Sequence, residues 1–136
     1  MTITKKELAL TAWAEAKRAA EAAAQAATPT PILVGTPTTP FGNDIDPSKP
    51  VYYEAGGLCG FAWLTVRPAR GALVSLLKEA GIGHLAYGGG WYIGAGDLSP
   101  TARATQSVQI KEAAVRAAAR VLQDANINAT ASSRLD

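Results

Sequence analysis

Leu58-Cys-Gly-Phe-Ala-Trp-Leu-Thr-Val-Arg67 is the stretch on which the reading of the fold turns. Side chains alternate between the two faces of an extended chain. Cys59, Phe61, Trp63 and Thr65 therefore share one face, and Leu58, Ala62, Leu64 and Val66 the other. Apolar residues on both faces predict a central strand, either covered on both sides or covered on one and used for binding on the other. Pro68 ends it, since proline has no N–H to give to a ladder. Upstream, Val51-Tyr-Tyr-Glu54 and a turn at Ala55-Gly56-Gly57 predict a partner strand in a hairpin.

Downstream, Gly71 to Ala80 carries Leu73, Leu76, Leu77 and Ala80 on one helical stripe, with Gly81 as a left-handed cap. His84 to Tyr87, glycines 88 to 90 and Trp91 to Ala95 predict a second hairpin. Gly94 and Gly96 fit a bulge or a close approach rather than a phosphate loop, because no GxGxxG or Walker spacing surrounds them. Ser99-Pro100 opens a long helix, clearest from Gln106 to Ala125, with Ile110, Ala114, Ala117, Val121 and Leu122 towards the core. Asn126 caps it, and Ala129 to Arg134 is a last strand. Leu77-Lys-Glu-Ala-Gly-Ile-Gly83 and Leu122-Gln-Asp-Ala-Asn-Ile-Asn128 share one frame, in which a helix end is clasped by Ile82 or Ile127. Strand–helix–strand thus occurs twice. The expected fold is α+β, a ferredoxin-like βαββαβ antiparallel sheet with two helices.

Residues 1–27 read as a helical arm. Thr4-Lys-Lys-Glu7 is a capping box, and 11 of the 19 residues from Ala9 to Ala27 are alanine, the best helix former. Such a helix buries little apolar area by itself, so Leu8, Leu10 and above all Trp13 are the expected interaction residues, against its own domain or another copy. Residues 28–50 form a Pro/Thr-rich strap holding six of the eight prolines, with Ile32-Leu-Val34 as a short docking strand. Residues 51–136 are the α+β domain.

With 136 residues, 48% hydrophobic and 18% charged, the chain suits one globular core. A net charge of +2, without a basic run, argues against nucleic acid or an anionic membrane as partner. No run approaches the about 18 apolar residues that span a bilayer, and no signal peptide is visible. One cysteine and one histidine exclude an intrachain disulfide and a zinc cluster, so no metal or cofactor is expected. Asn43, Asp44 and Asp46 lack calcium-loop spacing and suit Asx turns before Pro47. Arg67 and Arg70 could hold an anion near the following helix start, against the commoner solvated role.

Three further patterns bear on chemistry. Cys59 and His84 have the residue types of a nucleophile and base, in strings resembling cell-wall cysteine peptidases. In those enzymes the cysteine opens a helix, whereas Cys59 lies in a strand and reads as a small buried apolar residue. No catalytic residue is assigned. Gly60-Phe-Ala-Trp-Leu-Thr-Val66 resembles the core strand of RNA-recognition motifs, where two aromatics spaced i,i+2 stack on bases. Phe61 and Trp63 have that spacing, although Cys59 replaces the usual basic residue. Finally, Gly57-Leu-Cys-Gly-Phe-Ala-Trp63, Arg67-Pro-Ala-Arg70, Tyr87-Gly-Gly-Gly-Trp91, Lys111-Glu-Ala113 and Ser133-Arg-Leu-Asp136 together resemble a group of small tailed-bacteriophage proteins, over about residues 51–136.

That resemblance implies a phage origin, in the virion or the host cytoplasm, and carries no catalytic or ligand residue. The expected function is a non-enzymatic structural or interaction protein in a homo-oligomer or larger assembly, with itself, other phage proteins or a host protein as partner. The alternative is a single-stranded nucleic-acid module using Phe61 and Trp63.

Overall fold

The computed structural model describes residues 2–40, 42 and 44–136; Asn43 of the Asx-turn reading lies outside them. In chain order the elements are α1 (Lys5–Ala26), β1 (Ile32–Val34), β2 (Tyr52–Glu54), β3 (Gly60–Val66), α2 (Ala72–Ala80), β4 (His84–Leu85), β5 (Trp91–Gly94), α3 (Ala95–Leu98), α4 (Pro100–Arg103), α5 (Val108–Asp124) and β6 (Ala129–Leu135).

Strand β3 is central, as its two apolar faces require. The main sheet runs β4-β5-β3-β6, every neighbour antiparallel, with Leu64 opposite Ile93 on one side and Ala131 on the other. Gly60, Ala62, Leu64 and Val66 form its buried face, together with Trp91, Ile93 and Ala129. Helix α5 packs on β3 and β6 over that face. Helix α2 adds Leu73, Val74 and Leu77 to the same core.

The two helix ends that share a sequence frame share a structure. Ile82 N–H donates to the Leu77 carbonyl at 2.9 Å, and Ile127 N–H to the Leu122 carbonyl at 2.9 Å. These are six-residue Schellman closures. They require a left-handed residue in each turn, and Gly81 (φ 72°) and Asn126 (φ 64°) supply it. Leu77 and Leu122 are fully buried, so the same residue closes the turn and anchors the helix.

The expected ferredoxin-like βαββαβ is met at the level of class, mixed α and β with antiparallel strands, and the architecture is richer. Among the described residues there are five helices and two antiparallel sheets. The anticipated hairpin between Val51–Glu54 and Leu58–Arg67 does not form. Both edges of β3 are taken by β5 and β6, and β2 pairs instead with β1, Leu33 opposite Tyr53. The long helix does not begin at Ser99. Ser99 Oγ caps the one-turn α4 by accepting from Ala102 N–H, and Ser107 Oγ separately caps α5 by accepting from Ile110 N–H.

The N-terminal helix belongs to the core. Its capping box is complete, Thr4 Oγ1 accepting from Glu7 N–H and Glu7 Oε2 from Thr4 N–H. Ala9, Ala12, Trp13, Ala16, Ala20 and Ala24 make one buried stripe at helical spacing. This stripe lies mainly along α5, whose own buried residues include Ala114, Ala118 and Ala119. Methyl groups on both helices permit close approach. Glu21 then ties α1 to the domain: it accepts from Ser99 Oγ (2.6 Å), Thr101 Oγ1 (2.6 Å) and Thr101 N–H (3.1 Å), all at the start of α4. The hydroxyl of Ser99, followed by the hydroxyl and the N–H of Thr101, holds the Glu21 carboxyl down at about 2, from an ordinary 4.5.

Two outcomes follow. Trp13→Ala should cost about 3–5 kcal/mol, read in urea as one transition of the whole chain; two separate transitions would show that the arm folds apart. Because the Glu21 carboxyl is depressed in the folded state, its contribution is complete above 4.5 and is lost as pH falls towards 2. Glu21→Gln should lower stability at neutral pH and flatten that acid slope in thermal melts.

Candidate functional site

The face of the sheet opposite α5 carries the aromatic residues. Alternation along β3 sends Phe61, Trp63 and Thr65 there, and alternation along β5 sends Tyr92 there while Trp91 and Ile93 turn inward. Register then completes the array. Tyr92 stands opposite Thr65 on one side and His84 on the other, while Gly94 stands opposite Trp63. With no side chain at Gly94, Trp63 meets its diagonal neighbour: the Trp63 and Tyr92 rings stack with centroids 5.9 Å apart and planes 25° apart. Tyr92 stacks in turn on His84, at 4.5 Å and 13°. The His84 ring is fixed by its Nδ1–H, which donates to the Leu85 carbonyl at 2.9 Å. His84, Tyr92 and Trp63 thus form a stacked row across three strands.

Phe61 lies two residues before Trp63 on the same face and is 41% exposed. Two cations flank it. Lys111 Nζ is 5.3 Å and the Arg134 guanidinium carbon 5.2 Å from the ring centroid, both within cation–π reach. Lys111 reaches round from α5 and is held by donating to the Gly60 carbonyl at 3.0 Å. Beside Phe61 and Tyr92, the small residues Gly94 and Gly96 leave a cavity of about 220 Å³ that Arg103 and Lys111 also line. Arg103 is oriented by donating Nε–H to the Gly96 carbonyl at 2.9 Å. Neither Arg103, Lys111 nor Arg134 is ion-paired with a carboxylate among the described residues. Thr130 and Ser132 of β6 add hydroxyls to the same face. Burial raises the Tyr92 hydroxyl above its ordinary 10.0, helped by the charge of Asp97 and opposed by Arg134.

Of the residues singled out in the sequence, Phe61 and Trp63 share this open face. Cys59 and His84 are not brought together. His84 lies level with Thr65 and two strands away from β3, which separates it from Cys59 by roughly 20 Å along the strands and 10 Å across them. Cys59 is exposed rather than buried: it precedes β3 in a single bridge to Ser107, and its Sγ lies 3.7 Å from Gln106 Oε1. Trp13 is only 8% exposed within its own chain, which leaves it no surface for another copy, whereas Leu8 and Leu10 remain exposed. Tyr92, Lys111, Arg103 and Arg134 were missed, and His84 was weighed only as a partner for Cys59. The period-two pattern of Trp91-Tyr-Ile93 carried the signal for Tyr92, but the register that sets it beside Trp63 is not written in either strand alone.

Among the described residues no cluster of three or more His, Cys, Asp or Glu converges as metal ligands, and no helix is long and apolar enough to cross a membrane. The chain matches no family model, no curated protein and no solved structure.

The raised Tyr92 hydroxyl has a measurable consequence. Its phenolate is favoured more in the unfolded chain, so stability should fall as pH rises above 10.0. Tyr92→Phe should reduce that alkaline loss, measured by thermal melts across the alkaline range.

Proposed function

We propose that the protein is a non-enzymatic binding module that takes single-stranded nucleic acid on the helix-free face of its sheet. One observation carries this reading: Phe61, Trp63, Tyr92 and His84 lie together on that face, flanked by Lys111, Arg103 and Arg134 with no carboxylate pairing them. Bases stack on exposed aromatic faces regardless of sequence, and cations beside them neutralise the phosphates. The overall charge of +2 argued against such a ligand, but charge acts locally, and three of the 13 basic side chains surround this array. A ferredoxin-like relationship for residues 51–136 is part of the proposal. The repeated strand–helix–strand alternation and the helices on one face of an antiparallel sheet support it.

A second reading keeps the protein as a phage structural or interaction component, working in a homo-oligomer or larger assembly of the virion or host cytoplasm. The strap favours it. Leu33, Val34, Tyr52 and Tyr53 of the β1–β2 ribbon are all exposed, and an isolated two-stranded ribbon is marginal in water unless something packs on it.

Fluorescence anisotropy of a labelled ten-nucleotide strand separates the two. Micromolar binding is expected, weakened by Phe61→Ala or Trp63→Ala by about 1–3 kcal/mol each. Arg134→Gln should lower the salt slope by about 0.7. Absence of binding at low salt, together with oligomers in sedimentation that Tyr52→Ser/Tyr53→Ser dissolves, would replace the first reading with the second.

A further inference from the structure

A second concavity lies on the far side of β3 from the aromatic array, where the first turns of α1 and α2 meet the loop between α5 and β6. It has a volume of about 480 Å³. Val66, Leu73 and Val74, each nearly or fully buried, form its apolar base, and exposed Leu8 stands at its rim. Lys5, Arg67 and Arg70 also line it, and no carboxylate does. None of these three cations is ion-paired among the described residues. An apolar cleft whose charged lining residues are all positive is complementary to a molecule that is apolar at one end and anionic at the other.

We infer that this cleft binds a single-chain amphiphile with a carboxylate head. The hydrocarbon chain lies over Val66, Leu73 and Val74, where it removes apolar surface from water. The carboxylate is held at the mouth by Arg67 and Arg70, whose planar forks match its two oxygens, with Lys5 adding charge. The volume sits within the about 300–1,000 Å³ typical of small-molecule sites, which favours a single chain over a folded peptide. The inference stands independently of the aromatic face, since Phe61, Trp63 and Tyr92 take no part in it.

Decanoate titrated into the full chain, followed by calorimetry and by methyl NMR, tests it. Saturable binding with Kd below about 1 mM is expected, shifting the methyl signals of Leu73, Val74 and Ile127. Decanol, which lacks the charge, should bind at least about tenfold more weakly, and Arg67→Gln/Arg70→Gln should bring decanoate to the decanol level. Both arginines are exposed, so the variant should keep the parent's melting profile. Equal binding of decanol and decanoate would show that the cations read nothing. Equal occupancy by inorganic phosphate would show a plain anion site. Either result, or no methyl shift up to millimolar decanoate, overturns the inference.

Discussion

The packing of α5 between the sheet and α1 is the constraint on which the rest of the structure depends. Its buried residues include Ala114, Val115, Ala118, Ala119 and Leu122, and it contacts β3 and β6 on one side and α1 on another. A helix covered on two sides needs small side chains where a second helix approaches. Both α1 and α5 meet that need with alanine. Each methyl group contributes little, but a long line of close contacts sums to a substantial attraction. An alanine helix of this kind draws its stability in a protein from the surface it lies on. The buried stripe of the arm and the buried residues of the domain therefore form one continuous core.

The open face follows from the same arrangement. Helices α2 and α5 share one buried core with Leu64, Ile93 and their neighbours, and α1 packs on other helices, mainly α5. No long helix is left to lie over Phe61, Trp63 and Tyr92. The array stays open to solvent at Phe61 and His84 and half-buried at Trp63 and Tyr92, its rings resting on one another and on the backbone of three hydrogen-bonded strands. Binding sites made this way are preorganised. A ligand that stacks on them need not first order them, so little of its binding free energy is lost.

Glu21 shows how polar chemistry locks an apolar interface. Alanine surfaces slide easily past one another, since methyl groups offer no unique register. One carboxylate accepting from two hydroxyls and a backbone N–H at the start of α4 fixes both the rotation and the height of α1. Charge-assisted hydrogen bonds to a carboxylate are short and directional, and packing alone lacks that specificity.

The sequence by itself determined the local elements. The capping box at Thr4, the alanine run, the alternation through β3, the glycine turn of the second hairpin and the twin helix ends at Leu77 and Leu122 all rest on interactions within a few residues. Short-range chemistry of that kind is legible in order. Only the tertiary structure decided which partners these elements took. β2 went to β1 because both edges of β3 were filled by strands far along the chain, and the stripe of α1 went to α5 because a second alanine surface lay there. Cys59 and His84 came to rest far apart, while His84, Tyr92 and Trp63 came together. Those outcomes depend on register and competition between distant segments, in which the free energy of each pairing is set by all the others.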